Sequence, residues 1–105
     1  MAVMFIMEFD GVTESDYRNV SAQLGIDPDT GDGDAPAGQL SHLAGLTEDG
    51  RLVIVESWES GEARAQFMEN RLGPAMAQGG VTATPKVTDL IVLGARGGGG
   101  FARLT

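Results

Sequence analysis

Three segments of this chain, VMFIM at 3–7, LVIV at 52–55 and LIVL at 90–93, are unbroken apolar runs of strand length. An antiparallel sheet with one wet face alternates apolar and polar residues, because successive side chains point to opposite faces. These runs do not alternate, so both faces of the sheet they build must be covered. A chain of 105 residues has room for one layer of helices, which covers one face. The other face calls for a second copy of the chain, packed sheet to sheet as an isologous homodimer.

The punctuation between the runs sets the element order. Residues 2–9 read as a strand ended by Asp10-Gly11. Thr13 is an N-cap with Asp16 three residues on, and Val12 is placed to staple onto Tyr17. The helix that follows carries Tyr17, Val20 and Leu24 on one stripe and stops at Gly25. Residues 27–38 (DPDTGDGDAPAG) neither continue a helix nor pair in a sheet, and read as a long surface loop. Residues 39–46 form a second strand, TEDG at 47–50 a hairpin turn, and RLVIVESW a third strand. From an N-cap at Ser60, a longer helix places Ala63, Phe67, Met68, Leu72, Ala75 and Met76 on one face. Pro74 predicts a kink or restart near Gly73-Pro74, before a stop at Gly79-Gly80. KVTDLIVLG at 86–94 is the fourth strand. The order β-α-β-β-α-β is the ferredoxin-like α+β arrangement: a four-stranded antiparallel sheet with two helices on one face. The domain is expected over 1–94, with a glycine-rich tail over 95–105.

Composition removes whole classes of function. Seven basic residues against fifteen acidic ones give a net charge of −8, and the basic residues are scattered singly, so the footprint of nucleic-acid binding is missing. The chain has no cysteine, which excludes disulfides, thiolate nucleophiles and cysteine-based metal sites, and weakly favours a cytoplasmic address. No apolar run reaches membrane-span length, and Glu8 interrupts the first segment before it resembles a leader. Asp27, Asp29, Asp32 and Asp34 offer oxygen ligands at short spacing, but Gly31 stands at the fifth position of a calcium loop, no Glu stands at the twelfth, and a strand follows. The loop reads as solvated, or as a lid, and no metal is expected. GARGGGG at 94–100 precedes no helix, so it offers no phosphate cradle.

His42 is the one side chain whose ordinary titration range lies near neutrality, and general acid–base work falls most naturally to it. A buried histidine satisfied by a sheet or helix neighbour is the structural alternative. A three-residue turn with Gly50 left-handed pairs Thr47 with Arg51, sets His42 opposite Glu56 and sets Leu40 opposite Trp58. A two-residue Asp49-Gly50 turn sets His42 opposite Ser57 instead. Trp58, at a strand end, either lines a pocket or plugs the core. Tyr17, Phe67, Leu72 and Met76 face the sheet from the helices, as core or as the lining of a cavity.

The order of elements, the LSHLAG strand, the VIVESWES stretch and the AQFMENRLGPAM helix together resemble small actinobacterial proteins of the dimeric α/β-barrel superfamily, which includes the antibiotic-biosynthesis monooxygenase group. The resemblance covers about residues 1–94. It implies a homodimeric barrel that binds a hydrophobic, aromatic or polyketide-like molecule between sheet and helices, and oxygenates or cyclises it without a cofactor. His42, with Glu56 as its partner, would be catalytic, and Trp58, Tyr17, Phe67, Leu72 and Met76 would hold substrate. Haem chemistry is disfavoured, since His42 is the only imidazole. The superfamily also contains non-catalytic binding and stress-response dimers, the rival reading. A cavity holding His42 and Trp58 favours an enzyme; a collapsed core favours the rival.

Overall fold

The computed structural model describes residues 2–96, so the expected tail lies outside the described residues except for Ala95 and Arg96. β1 (Val3–Phe9), α1 (Glu14–Leu24), β2 (Gln39–Leu46), β3 (Leu52–Trp58), α2 (Gly61–Phe67), α3 (Gly73–Gln78) and β4 (Lys86–Ile91) follow in that order. A π-helical turn, Met68–Leu72, joins α2 to α3. The four strands form one antiparallel sheet in the order β2-β3-β1-β4, which is the ferredoxin-like arrangement. Among the described residues no helix is long and apolar enough to cross a membrane.

Local sequence explains the ends of α1. The Thr13 hydroxyl accepts from the Asp16 backbone N–H at 3.1 Å, and the Asp16 carboxylate accepts from Thr13 N–H at 3.0 Å. This reciprocal box satisfies two of the orphan donors that every helix start exposes. Val12 joins the buried core and Tyr17 packs against it, as a staple requires. The second helical segment departs from the expected kink at Gly73-Pro74. The disturbance begins five residues earlier, where the helix widens and Gly73 N–H bonds to the Met68 carbonyl. Pro74 has no N–H for a carbonyl one α-turn back, and its ring would collide there. A wider turn relieves that collision without breaking the helix.

Alternation along the paired strands divides the sheet into two apolar faces. Phe5, Met7 and Phe9 of β1 with Leu52, Ile54 and Trp58 of β3 are buried on the helix side. They form two clusters, one around Met7 and Ile54 and one around Phe5, Trp58 and Phe67. The opposite face presents Met4, Ile6, Val53, Val55, Leu43 and Leu90, with Leu43 57% and Leu90 40% exposed. No element of the described chain covers it. β4 is exposed on both faces and ends at Ile91 rather than running to residue 94, although Val92 N–H still bonds to the Ala2 carbonyl at 3.1 Å.

The β2–β3 hairpin takes the three-residue form, with Thr47 N–H donating to the Arg51 carbonyl at 2.9 Å and Gly50 at φ 86°. His42 is therefore opposite Glu56. Leu40 is not opposite Trp58, as the uninterrupted ladder had predicted. A β-bulge between Gln39 and Ser41 inserts one residue, and Gln39 takes that place. Because an L-side chain at φ 86° is strained, Gly50→Ala is expected to lower stability by about 1–2 kcal/mol, read as a shifted midpoint of denaturant unfolding with unchanged slope.

Candidate functional site

Glu56 is the outlier on its strand. Even-numbered positions of β3 face the helices, so the period that buries Leu52, Ile54 and Trp58 also buries this carboxylate, which is 3% exposed. An isolated buried charge is costly, and three hydrogen-bonding side chains and a nearby guanidinium offset it here. The Trp58 indole N–H donates to Glu56 Oε1 at 3.0 Å, and Gln39 Nε2 donates to Oε2 at 3.2 Å, a contact that the bulge makes possible. His42 Nδ1 lies 3.3 Å from Oε2, and the Arg64 guanidinium, stacked 3.9 Å over the Phe5 ring, approaches Oε1 at 3.6 Å.

On the far side of the imidazole, His42 Nε2 meets the Tyr17 hydroxyl at 2.8 Å, with the two rings nearly parallel. A carboxylate only accepts, so Nδ1 carries the proton toward Glu56 and the Nε2 lone pair accepts from the phenol. Desolvation pushes the Tyr17 phenol above its ordinary range, which keeps it a neutral donor. Tyr17, His42 and Glu56 thus form a file in which a base is oriented from behind by a buried carboxylate. This is the geometry general base catalysis requires.

The file forms part of the wall of a cavity of ≈ 210 Å³ between sheet and helices. A cavity of about 150 Å³ is enough to hold benzene, so this one has room for a compact aromatic. The sheet contributes Met7, Phe9 and Ile54; the helices contribute Val20, Phe67, Leu72 and Met76; Ile26, Pro28, Ala35 and Pro36 of the Asp-rich segment close it. Arg71 pins that segment, donating to the Asp34 carbonyl at 2.7 Å and to the Leu24 carbonyl at 3.1 Å. Asp27 accepts from Asp29 N–H, and Asp29 pairs with Arg18 at 3.1 Å. Among the described residues no three acidic or histidine side chains group as a metal site. Outside the cavity, Tyr17 and His42 also border a shallow groove along β2, so the pair stands between the interior and solvent.

Of the residues singled out in the sequence, His42, Glu56, Tyr17, Phe67, Leu72 and Met76 converge on one cavity. Trp58 does not. It is fully buried, packs against Phe67 with ring centroids 5.4 Å apart, and reaches the site only through its bond to Glu56. A strand-end indole with a carboxylate two residues before it on the same face finds its hydrogen-bond partner inward, and the ring then fills the core. Gln39 and Arg64 escaped the sequence reading. Gln39 arrives through a bulge that no local pattern announces, whereas Arg64 shares α2 with Ala63 and Phe67 but projects its charge back onto the sheet.

No family model matches the chain, and neither does any curated protein sequence. Solved structures do. A protein of Chloroflexus aurantiacus, provisionally described as an antibiotic biosynthesis monooxygenase, is 14% identical with a TM-score of 0.68 over 92% of this chain and 98% of its own. Rv0793 of Mycobacterium tuberculosis is 23% identical with a TM-score of 0.62 over 90% and 97%. SnoaB of Streptomyces nogalater, a cofactor-independent oxygenase, is 15% identical with a TM-score of 0.61 over 87% and 92%. This chain shares their fold. The ferredoxin-like α+β architecture implied by the resemblance is the one observed, on neighbours of the antibiotic-biosynthesis monooxygenase type. At such identities likeness speaks for the fold, and the chemistry must be argued from side chains.

The chain contains one tyrosine, so its phenolate absorbance reports Tyr17 alone. Alkaline titration of the folded protein is expected to reach its midpoint above the ordinary phenol range, about 10. Between the unfolded and folded values the native state holds a proton that the unfolded state has lost. Stability therefore falls as pH rises through that window, and melting temperatures on either side of it test the sign.

Proposed function

We propose that the protein is a homodimeric, cofactor-independent oxygenase of a compact aromatic phenol, such as a small polyketide-like ring system. The observation that carries this reading is the Tyr17–His42–Glu56 file at the wall of an apolar cavity. A phenolic substrate entering the cavity takes the place of the Tyr17 hydroxyl at His42 Nε2. Its O–H bond breaks and an N–H bond forms on the imidazole, while Glu56 supports the resulting cation from behind. The electron-rich phenolate then reduces dioxygen. One oxygen atom becomes a new carbonyl on the ring and the other leaves as water, so the four electrons that dioxygen accepts all come from the substrate. The apolar walls exclude solvent from the reacting carbanion-like centre. The fold likeness to SnoaB, an oxygenase that works without a cofactor, is consistent with this assignment.

The dimer in this proposal rests on the uncovered sheet face. Met4, Ile6, Val53, Val55, Leu43 and Leu90 make one apolar surface, which an isologous partner would bury. Ile6→Asp sets a charge in its centre and is expected to yield a monomer by sedimentation, with Trp58 emission unchanged. A wild-type protein that is already monomeric at micromolar concentration overturns the dimer.

The catalytic assignment is tested with a panel of hydroxynaphthalenes and anthrones in aerated buffer. Wild-type protein is expected to consume oxygen and to form products that gain one oxygen atom and lose two hydrogens. His42→Ala is expected to lose about a hundredfold or more of that rate. Full turnover by His42→Ala removes His42 as the base. Binding without any turnover across the panel favours a non-catalytic carrier of the same ligands.

A further inference from the structure

We propose that this cavity admits its ligand only in uncharged form, and that Asp16 and Asp27 set the selectivity; the inference rests on the cavity being the ligand site proposed above. Three carboxylates, Asp16, Asp27 and Glu56, contribute to its lining, and among the described residues no lysine or arginine does. The nearby cations are already committed. Arg64 faces Glu56, Arg18 pairs with both Glu14 and Asp29, and Arg71 pairs with Asp34 at 3.2 Å. Asp16 and Asp27 take their own hydrogen bonds from the backbone N–H groups of Thr13 and Asp29, which satisfy lone pairs but add no positive charge. The rest of the wall is mainly hydrocarbon, with Tyr17, Ser21, Gln39 and His42 as its other polar side chains. The buried Glu56 carboxylate is therefore poorly screened, and Asp16, half-buried, and Asp27, exposed, add to its negative potential through better-screened charges.

A carboxylate or phosphate ligand would lose its hydration in this cavity and find no counterion. A neutral phenol meets neither penalty. When its proton passes to His42, anion and imidazolium appear together, and the net charge of the cavity does not change. Glu56 lies against the opposite nitrogen of the same ring, so it stabilises the new cation and is separated by it from the new anion. The arrangement thus rejects ligands that arrive ionised while permitting ionisation after entry. This divides aromatic phenols with no acidic substituent from carboxylated ones, a distinction that the fold does not make.

Calorimetric titration of the full-length protein with naphthol and with naphthoate at neutral pH tests the proposal. Naphthol is expected to bind at least about tenfold more tightly than naphthoate. In Asp16→Asn/Asp27→Asn the gap is expected to close by about threefold or more, with naphthoate binding gaining more than naphthol binding changes. Because Asp16 belongs to the helix cap, Asp27→Asn alone serves as the second variant, and Trp58 emission verifies folding of both. Equal binding of the two ligands to wild type, or a gap that neither variant narrows, overturns the inference. Discrimination without oxygen uptake in the aerated panel sinks the oxygenase and leaves the selectivity standing. Oxygen uptake that prefers carboxylated hydroxynaphthalenes does the reverse, and failure of both naphthalenes to bind overturns both.

Discussion

A buried carboxylate organises this protein. Glu56 draws the indole of its own strand, the amide and the imidazole of β2, and a guanidinium from α2 onto two oxygen atoms. The contacts from β2 and α2 tie those two elements to the central strand β3, and all four compensate part of the desolvation that burying the charge entails. The consequence is directional as well as energetic. Trp58 and Arg64 occupy one oxygen, and Gln39 and His42 the other, so the imidazole is oriented with its free nitrogen toward Tyr17. A hydrophobic residue of similar volume at position 56 would pack against the same neighbours, yet it would leave an indole N–H without its acceptor and a guanidinium without its counterion.

The two faces of the sheet carry different work. On the helix side, aliphatic and aromatic residues fill the core around the Glu56 cluster but stop short of filling the space beneath α1 and the Asp-rich segment. That segment spends its acidic residues on its own turns and on pairs with Arg18 and Arg71, and in doing so lays two prolines and an isoleucine across the cavity. On the other side, the same strands present an apolar surface that the described residues leave bare.

Much of the fold could be read before any coordinates. The capping box at Thr13, the helix stop at Gly25, and the exact span of β2 follow from residues whose preferences are local, such as a hydroxyl before a helix or a glycine where φ is positive. The site was legible where it depended on the period of a strand: once the turn is three residues long, His42 must oppose Glu56. It was illegible where an irregularity intervened. The bulge replaced Leu40 with Gln39, the π-turn moved the helical distortion upstream of Pro74, and Trp58 turned inward to a carboxylate two residues before it. Arg64 was illegible for a different reason, since a long flexible stem sets the position of its charge independently of its backbone.

By itself the sequence determined the order of elements, the two apolar faces and the single histidine to which acid–base work would most naturally fall, because these depend on periodicity and on residue type. Which turn the hairpin adopts, that a space remains beneath α1, and that among the described residues its lining holds three carboxylates and no lysine or arginine were decided only by the tertiary structure. Packing brings together residues far apart in the chain, and whether side chains fill the volume between them is a property of that assembled volume rather than of any segment.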